Sequence, residues 1–277
     1  MSTGLFMMEP FPVVRTLDHV MIEAEDPTVL LRLFVEGFGL PVAWEFGDYG
    51  DLWSGGVCAG NLNLEFCRFK EKRFGKPDIW EGADGGARLG GLAFESTMPI
   101  SEAVSMLAGW GVPFGSGIAS ENWTELEIQG LLDAPGIAFL VEYNFDHDAW
   151  QGGHRDAFAA SGGGSLGLVG VQEIQIGVRD PQEATPAWGR FLCDIPKVDA
   201  AAWRLAEQLA LRLVPWGKDE IASLMLRVKS VETTMAFLKD AGIPALESLD
   251  GVALDPAVTQ GLHFQLVDSG TPAFWES

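Results

Sequence analysis

Apolar and polar positions along the chain follow two periodicities, and the same order of elements returns four times. Residues 17–23 look like a strand, and Asp26-Pro27 then supplies a helix N-cap followed by proline at the first helical position. Gly39-Leu40-Pro41 ends the helix and starts an extended segment. The apolar residues of the predicted helix recur at helical spacing and are Leu30, Leu31, Phe34 and Phe38.

The pattern returns at shifts of 72, 154 and 203 residues, which predicts four copies of a strand, a helix, a turn and further strands. The third copy is expected to be too short for three full strands. The glycine-rich stretch 151–167 is predicted to be a linker. The predicted domains are therefore 1–150, with the candidate site, and 168–277, a degenerate second pair.

Composition narrows the function classes. With 18 Lys+Arg against 39 Asp+Glu the formal charge is −21, so binding to nucleic acid is not expected. Hydrophobic residues make up 47%, enough for a buried core. No apolar run suggests a membrane helix, and no signal peptide is recognisable at the N-terminus. The three cysteines form no disulfide or zinc pattern, which favours a reducing, cytoplasmic location.

Four βαβββ modules paired two and two resemble the vicinal-oxygen-chelate superfamily, which includes glyoxalase I, bleomycin-resistance proteins, methylmalonyl-CoA epimerases and extradiol dioxygenases. Residues 17–20 look like the usual first strand of a module, and residues 60–66 look like the usual fourth strand. The resemblance implies an α+β fold in which tandem βαβββ modules pair into two cup-shaped mixed sheets.

The resemblance also implies where metal ligands would stand, on the first and fourth strands of each module. In the first half these positions match His19, Glu65, Gly91 and Glu142, of which three can bind a divalent ion such as Zn²⁺, Mn²⁺, Fe²⁺ or Ni²⁺. A histidine following the second module, His147 or His154, is a candidate to replace the donor missing at Gly91.

The second half offers a poorer donor set. Its first-strand positions match Glu173 and Ala222, and its fourth-strand positions match Gln265 and either Arg212 or Val214. The two histidines and one carboxylate expected of a four-module extradiol dioxygenase are not present in that half, whose histidine is His263. A second site is therefore not expected there.

Strand alternation predicts that polar residues line the first cup. Asn61, Asn63 and Glu65 share one face of the predicted fourth strand, opposite an apolar face. Asn61, Asn63 and Trp53 are predicted to bind substrate, and Glu65 or Glu142 is predicted to act as the catalytic base.

Three functions remain open from the sequence. The first is a metal-assisted lyase or isomerase acting next to a carbonyl, with His19, Glu65 and Glu142 as ligands. The second is a metal-free protein that sequesters an apolar or aromatic small molecule. The third, less favoured, is an extradiol-type dioxygenase. In each case the partner is a small molecule, and a homodimer is an open alternative to a monomer.

Overall fold

The computed structural model describes residues 12–70, 86–193, 195–248 and 251–271. The first module contains strand β1 (Val14–Ala24), helix α1 (Pro27–Arg32) and strands β2 (Val42–Asp48), β3 (Leu52–Cys58) and β4 (Asn63–Phe69). The second contains β5 (Ala87–Ser96), α2 (Ile100–Trp110), β6 (Phe114–Ala119), β7 (Trp123–Ile128) and β8 (Ile137–Tyr143). Helix α3 (His147–Ser161) then leads to the second half.

The third module contains β9 (Leu168–Val178), α4 (Pro181–Phe191), β10 (Lys197–Asp199), β11 (Ala202–Ala206) and β12 (Leu209–Pro215). The fourth contains β13 (Glu220–Val228), α5 (Val231–Asp240), β14 (Ala245–Ser248), β15 (Gly251–Leu254) and β16 (Phe264–Asp268). No helix among the described residues is long and apolar enough to cross a bilayer.

Each half forms one eight-stranded mixed sheet. The strand order is β2-β3-β4-β1-β5-β8-β7-β6 in the first sheet and β10-β11-β12-β9-β13-β16-β15-β14 in the second. In both sheets the first strands of the two modules pair antiparallel at the centre, and each first strand pairs parallel with its own fourth strand. The predicted fold of four βαβββ modules in two mixed sheets is confirmed.

The predicted helix starts are formed by the residues expected. The Asp26 carboxylate accepts a hydrogen bond from the backbone N–H of Thr28, and Asp180 accepts one from Gln182 at the start of α4. Proline occupies the beginning of both helices. After Arg32, helix α1 continues as a wider π-helical turn, Leu33–Gly37.

One continuous apolar core spans both halves. The ring of Phe34 lies 5.1 Å from that of Phe66 in its own sheet and 5.4 Å from that of Phe264 in the other. Phe94 and Phe191 make a second contact between the halves, at 5.0 Å. Each fully buried aromatic side chain contributes roughly 1.5–3 kcal/mol of burial free energy, so this core fixes the helix-facing sides of both sheets.

Two expectations about the chain between the modules need correction. The third module does have three strands after its helix, although β10 is only three residues long. Most of the stretch predicted as a linker is helical, because α3 extends to Ser161 and its N-cap Asp146 accepts a hydrogen bond from Ala149. The glycines that follow are closely packed. A Cβ on Gly164, where φ is +61°, would lie 2.1 Å from the Phe38 carbonyl oxygen.

Candidate functional site

An irregularity in β1 brings two neighbouring polar residues to the same face of the first sheet. The pairing of β1 with β5 shifts register between Leu17 and His19. Leu17 and Val20 both face the helices and belong to the core, so Asp18 and His19 both point into the cup. Simple alternation would have put Asp18 on the opposite face.

His19 is held between two carboxylates. Its Nδ1 lies 2.7 Å from Asp18 Oδ2, and its Nε2 lies 3.2 Å from Glu65 Oε2 on β4. The other oxygen of Glu65 accepts a hydrogen bond from Ser54 Oγ at 2.6 Å, and Ser54 in turn accepts one from Trp44 Nε1 at 2.9 Å. A continuous polar chain therefore crosses the cup from β1 through β4 and β3 to β2.

Asp18 is the centre of a second set of contacts that reaches helix α3. Its Oδ2 also accepts a hydrogen bond from Tyr143 Oη at 2.7 Å, and its Oδ1 accepts one from Gln151 Nε2 at 2.7 Å. His147 Nε2 lies 3.1 Å from the same Oδ1, and its Nδ1 lies 3.5 Å from Glu95 Oε1. The helix that joins the two halves thus forms part of the first-half site.

The buried charges fix the protonation states. Burial alone would lower the pKa of His19, but hydrogen bonds to Asp18 and Glu65 outweigh it and raise the pKa to about 10. Burial likewise opposes protonation of His147, and Asp18 and Glu95 still raise its pKa to about 9. Burial disfavours the ionised form of Asp18, yet hydrogen bonds from the two histidines hold its pKa far below the usual value. At neutral pH the network is two imidazolium ions around an ionised carboxylate.

A cavity of about 360 Å³ opens above this network. Its walls are mainly aromatic and carry a few polar groups besides Asp18 and His19. The aromatic lining residues are Trp44, Tyr49, Trp123, Phe139, Tyr143, Phe145 and Trp150. Helix α3 contributes Trp150, whose ring centre is 6.1 Å from that of Trp44. The volume of the cavity lies at the lower end of the range for ordinary small-molecule sites, roughly 300–1,000 Å³.

Part of the cup is apolar. A cluster of buried side chains, here called the floor cluster, is separate from the main core, and three of its members, Leu52, Phe139 and Val141, line the cavity. Its members are Met21, Leu52, Cys67, Ala93, Ile137, Phe139 and Val141. The cavity therefore combines the polar network of β1, β3 and β4 with apolar lining from Leu52, Phe139 and Val141, and the buried Glu125 of β7 also lines it.

The expectation that Glu142 joins His19 and Glu65 was wrong. Phe139, Val141 and Tyr143 of β8 face the cup, so Glu142 faces the helices. Its Oε2 accepts a hydrogen bond from the backbone N–H of Ile100 at 2.8 Å, at the first turn of α2. A carboxylate there stabilises the helix start through the exposed N–H groups and the helix dipole. Glu142 is therefore neither metal ligand nor catalytic base.

Of the three residues predicted to bind substrate, only Asn63 faces the cup. It is 1% exposed, and its Nδ2 lies 3.4 Å from Gln151 Oε1, so helix α3 covers it. Asn61 bonds the backbone N–H and C=O of Val171 instead, both at 2.8 Å, and so ties the two halves together. Trp53 lies on the outer side of β3 next to Lys70.

The residues present do not fit the divalent ion that the resemblance implies. His19 and Glu65 are close together, but Gly91 carries no donor and Glu142 points away. No group of three or more His, Cys, Asp or Glu side chains among the described residues is arranged to hold a metal. His147 does not replace the missing donor, since it contacts Asp18 and Glu95, and His154 packs edge-on against Trp150 at 4.0 Å.

Several site residues were missed by sequence reasoning. Asp18 was not among the predicted site residues, because simple alternation places it on the face opposite His19 and does not reveal the bulge. Ser54 and Tyr143 lie on cup-facing positions of β3 and β8, which a correct strand register would have identified. Gln151 is the first residue of the stretch interpreted as a linker, and Trp150 directly precedes it; Asp146 as an N-cap was the available signal for a helix there.

Paired βαβββ modules that close two eight-stranded sheets define the vicinal-oxygen-chelate fold, and this chain has it. No protein-family model matches the sequence, and a search of curated proteins finds no match. Similar solved structures are nevertheless found. One is the 2,3-dioxygenase LapB from Pseudomonas sp. KL28, with a TM-score of 0.58, 11% identity, and 96% of each chain covered.

Two further solved structures support the same fold. A hypothetical protein from Staphylococcus aureus has a TM-score of 0.60 and 10% identity, with 91% of this chain and 98% of the other covered. An extradiol ring-cleaving dioxygenase from B. fuscum has a TM-score of 0.56 and 12% identity, with 96% and 74% covered. At these identities the likeness concerns the fold and not the reaction.

Proposed function

We propose that the chain binds a small molecule with a flat apolar body and one polar end in the first-half cup, without a metal ion at the position implied by the resemblance. The observation that carries this proposal is a cavity lined mainly by aromatic and aliphatic side chains that also contains the charged groups of Asp18, His19 and Glu65. A ligand with an apolar body and one polar end matches both kinds of lining, whereas a uniformly polar ligand would meet aromatic walls that offer it few hydrogen bonds.

The polar end of the ligand would meet a rigid surface. Glu65 is fixed by Ser54 and His19, and His19 is fixed by Asp18, so these groups do not need to be ordered when the ligand enters. Binding to an already ordered site avoids part of the entropic cost of association. The aromatic walls then supply most of the contact area.

The two metal-dependent functions are less well supported. A metal-assisted lyase or isomerase would use His19, Glu65 and Glu142, and Glu142 caps helix α2 instead. A ring-cleaving dioxygenase like two of the structural neighbours would need a further donor set, and the described residues do not supply one. Identities of 10–12% to the listed neighbours support the fold alone.

Tryptophan fluorescence tests the proposal, because Trp44, Trp123 and Trp150 line the cavity. A panel of aromatic, hydroaromatic and purely polar small molecules would be titrated into the protein with and without EDTA. We expect saturable quenching by aromatic members, unchanged by EDTA. Trp150→Ala should weaken binding at least about tenfold, roughly 1.4 kcal/mol. Trp216→Ala is the matched control, because Trp216 is exposed in the second half.

The proposal fails if no aromatic compound binds, if binding requires an added divalent ion, or if Trp150→Ala and Trp216→Ala weaken binding equally. A preference for purely polar compounds would contradict the apolar side of the cup as the main contact surface.

A second candidate, acid–base catalysis without a metal, is favoured by one observation. A carboxylate and an imidazolium stand 3.2 Å apart at the wall of a mostly aromatic cavity. Glu65 would take a proton from a carbon next to a carbonyl of the ligand and return it to a neighbouring atom, giving an isomer. Proton exchange of bound carbonyl compounds in D₂O, followed by NMR, tests this. Glu65→Gln should abolish exchange, and an equal exchange rate in that variant would exclude Glu65 as the base.

A further inference from the structure

The register of the first sheet defines which residues of its two modules are equivalent. Val20 of β1 pairs with Leu92 of β5, and these residues are separated by the 72-residue repeat found in the sequence. A local two-fold axis therefore passes through this pair. It relates His19 to Gly91 and Met21 to Ala93, because the two strands run antiparallel.

The same axis identifies the counterpart of Glu65. Glu65 of β4 pairs with Met21, and Phe139 of β8 pairs with Ala93. Since Met21 and Ala93 are equivalent, Phe139 is the structural equivalent of Glu65. Phe139 is 1% exposed, faces the cavity, and its ring centre lies 6.0 Å from that of His19.

The counterpart of His19, Gly91, leaves no room for a side chain unless its neighbours shift. A Cβ on Gly91 would lie 2.9 Å from Met21 Sδ and 2.9 Å from Ile137 Cγ1. These distances are shorter than ordinary van der Waals contact, so the floor cluster fills the space that a second-module donor would need at position 91. Both ligand positions of the second module therefore lack a donor. Position 91 is a closely packed glycine, and position 139 is a phenylalanine.

We infer that Phe139 is the specificity-determining residue of the cup, presenting an aromatic face where a symmetric site would present a second donor. Position 139 decides whether the cup accepts an apolar ring or a divalent cation. A donor at this one position would complete a set of three with His19 and Glu65. This inference goes beyond the proposed function, because it can be tested with a metal ion alone and needs no ligand.

The experiment compares the wild-type chain with Phe139→His, using Zn²⁺ in calorimetry and Co²⁺ in absorption spectroscopy. Two histidines and a carboxylate form a common donor set for such ions. We expect Phe139→His to bind one equivalent at least roughly tenfold more tightly than wild type. Phe139→Leu, which keeps an apolar side chain, should behave like wild type. Adding His19→Ala to Phe139→His should remove the gain.

Two results would overturn the inference. The first is stoichiometric binding by wild type that is lost in His19→Ala, since the site would then be complete without position 139. The second is a folded Phe139→His protein with no gain in affinity. If Phe139→His does not fold, Phe139→Cys takes its place, because cysteine is tolerated in buried positions and its thiolate binds Zn²⁺. For that variant too, a folded protein with no gain in affinity would overturn the inference.

Discussion

Replacing His19 with glutamine should destabilise the protein by an amount that depends on pH. The imidazolium of His19 lies between Asp18 and Glu65, and only 11% of its side chain is exposed. Burial lowers the pKa of His19, but the hydrogen bonds to these two carboxylates outweigh burial and raise the pKa from 6.5 to about 10. At about 1.4 kcal/mol per pKa unit this corresponds to roughly 4–5 kcal/mol of stability. Loss of one partner of a buried ion pair costs a similar amount, about 3–5 kcal/mol.

The direction of the pH dependence follows from the raised pKa. A group whose pKa is higher in the folded state contributes its full stability below its unfolded pKa, here 6.5. That contribution falls as the pH rises and is lost once the pH passes about 10. Between these values the wild-type free energy of unfolding should fall by up to about 1.4 kcal/mol per pH unit for this group. His19→Gln should therefore cost most near pH 6 and least near pH 10.

Urea unfolding at pH 6.0, 7.5 and 9.0 measures this effect. His263→Gln is a suitable control, because His263 is exposed in the second half. His147→Gln should also reduce the slope, over a window that ends near pH 9. A difference between wild type and His19→Gln that is the same at pH 6.0 and 9.0 would refute the argument, since the pairing would then not depend on the charge of His19.

Three further predictions concern individual positions. Glu142→Gln should lower the free energy of unfolding by about 1 kcal/mol through the weakened start of α2 and leave ligand titrations unchanged; a loss of binding would show that Glu142 reaches the cup. Phe34→Ala should cost about 3–5 kcal/mol in urea unfolding; a cost under about 1 kcal/mol would argue against a shared core. Gly56→Ala should displace the Trp44 ring, which lies 2.2 Å from the position of the added Cβ, and so weaken ligand quenching; unchanged quenching would show that Trp44 adjusts without affecting the cup.

The architecture was predictable because it depends on features that repeat. Helix starts such as Asp26-Pro27 and Asp180-Pro181 follow local rules that hold in any fold. The 72-residue shift is the same as the separation of Val20 and Leu92, which pair at the centre of the first sheet. The same order of elements occurs four times in the sequence, although each copy is imperfect. Comparing the copies therefore predicted the order of modules even where one strand, β10, is very short.

The site was only partly predictable because it depends on which face of a strand each residue occupies. A slip of one residue exchanges the two faces. In β8 both faces carry apolar residues, so alternation gave no reason to prefer Phe139 over Glu142. In β1 the bulge adds Asp18 to the cup, and nothing in the local sequence marks that bulge. His19 was identified because the resemblance pointed to it, whereas Glu65 was indicated both by the resemblance and by the alternation of its strand.

A buried charge pair also occupies the corresponding place in the second half, so such a pair is not by itself an argument for ligand binding. Glu173 of β9 occupies the place of His19, and Arg212 of β12 occupies the place of Glu65, with the charges in reverse order. Glu173 is fully buried and also accepts a hydrogen bond from Gln175 at 2.9 Å, and Gln175 accepts one from Ser223. Removal of either charge would leave the other buried without its partner, at a cost of about 3–5 kcal/mol, so stability is a sufficient reason for such a pair. The argument for ligand binding in the first half therefore rests on what surrounds the pair there, namely a cavity whose lining is mainly aromatic and includes Phe139.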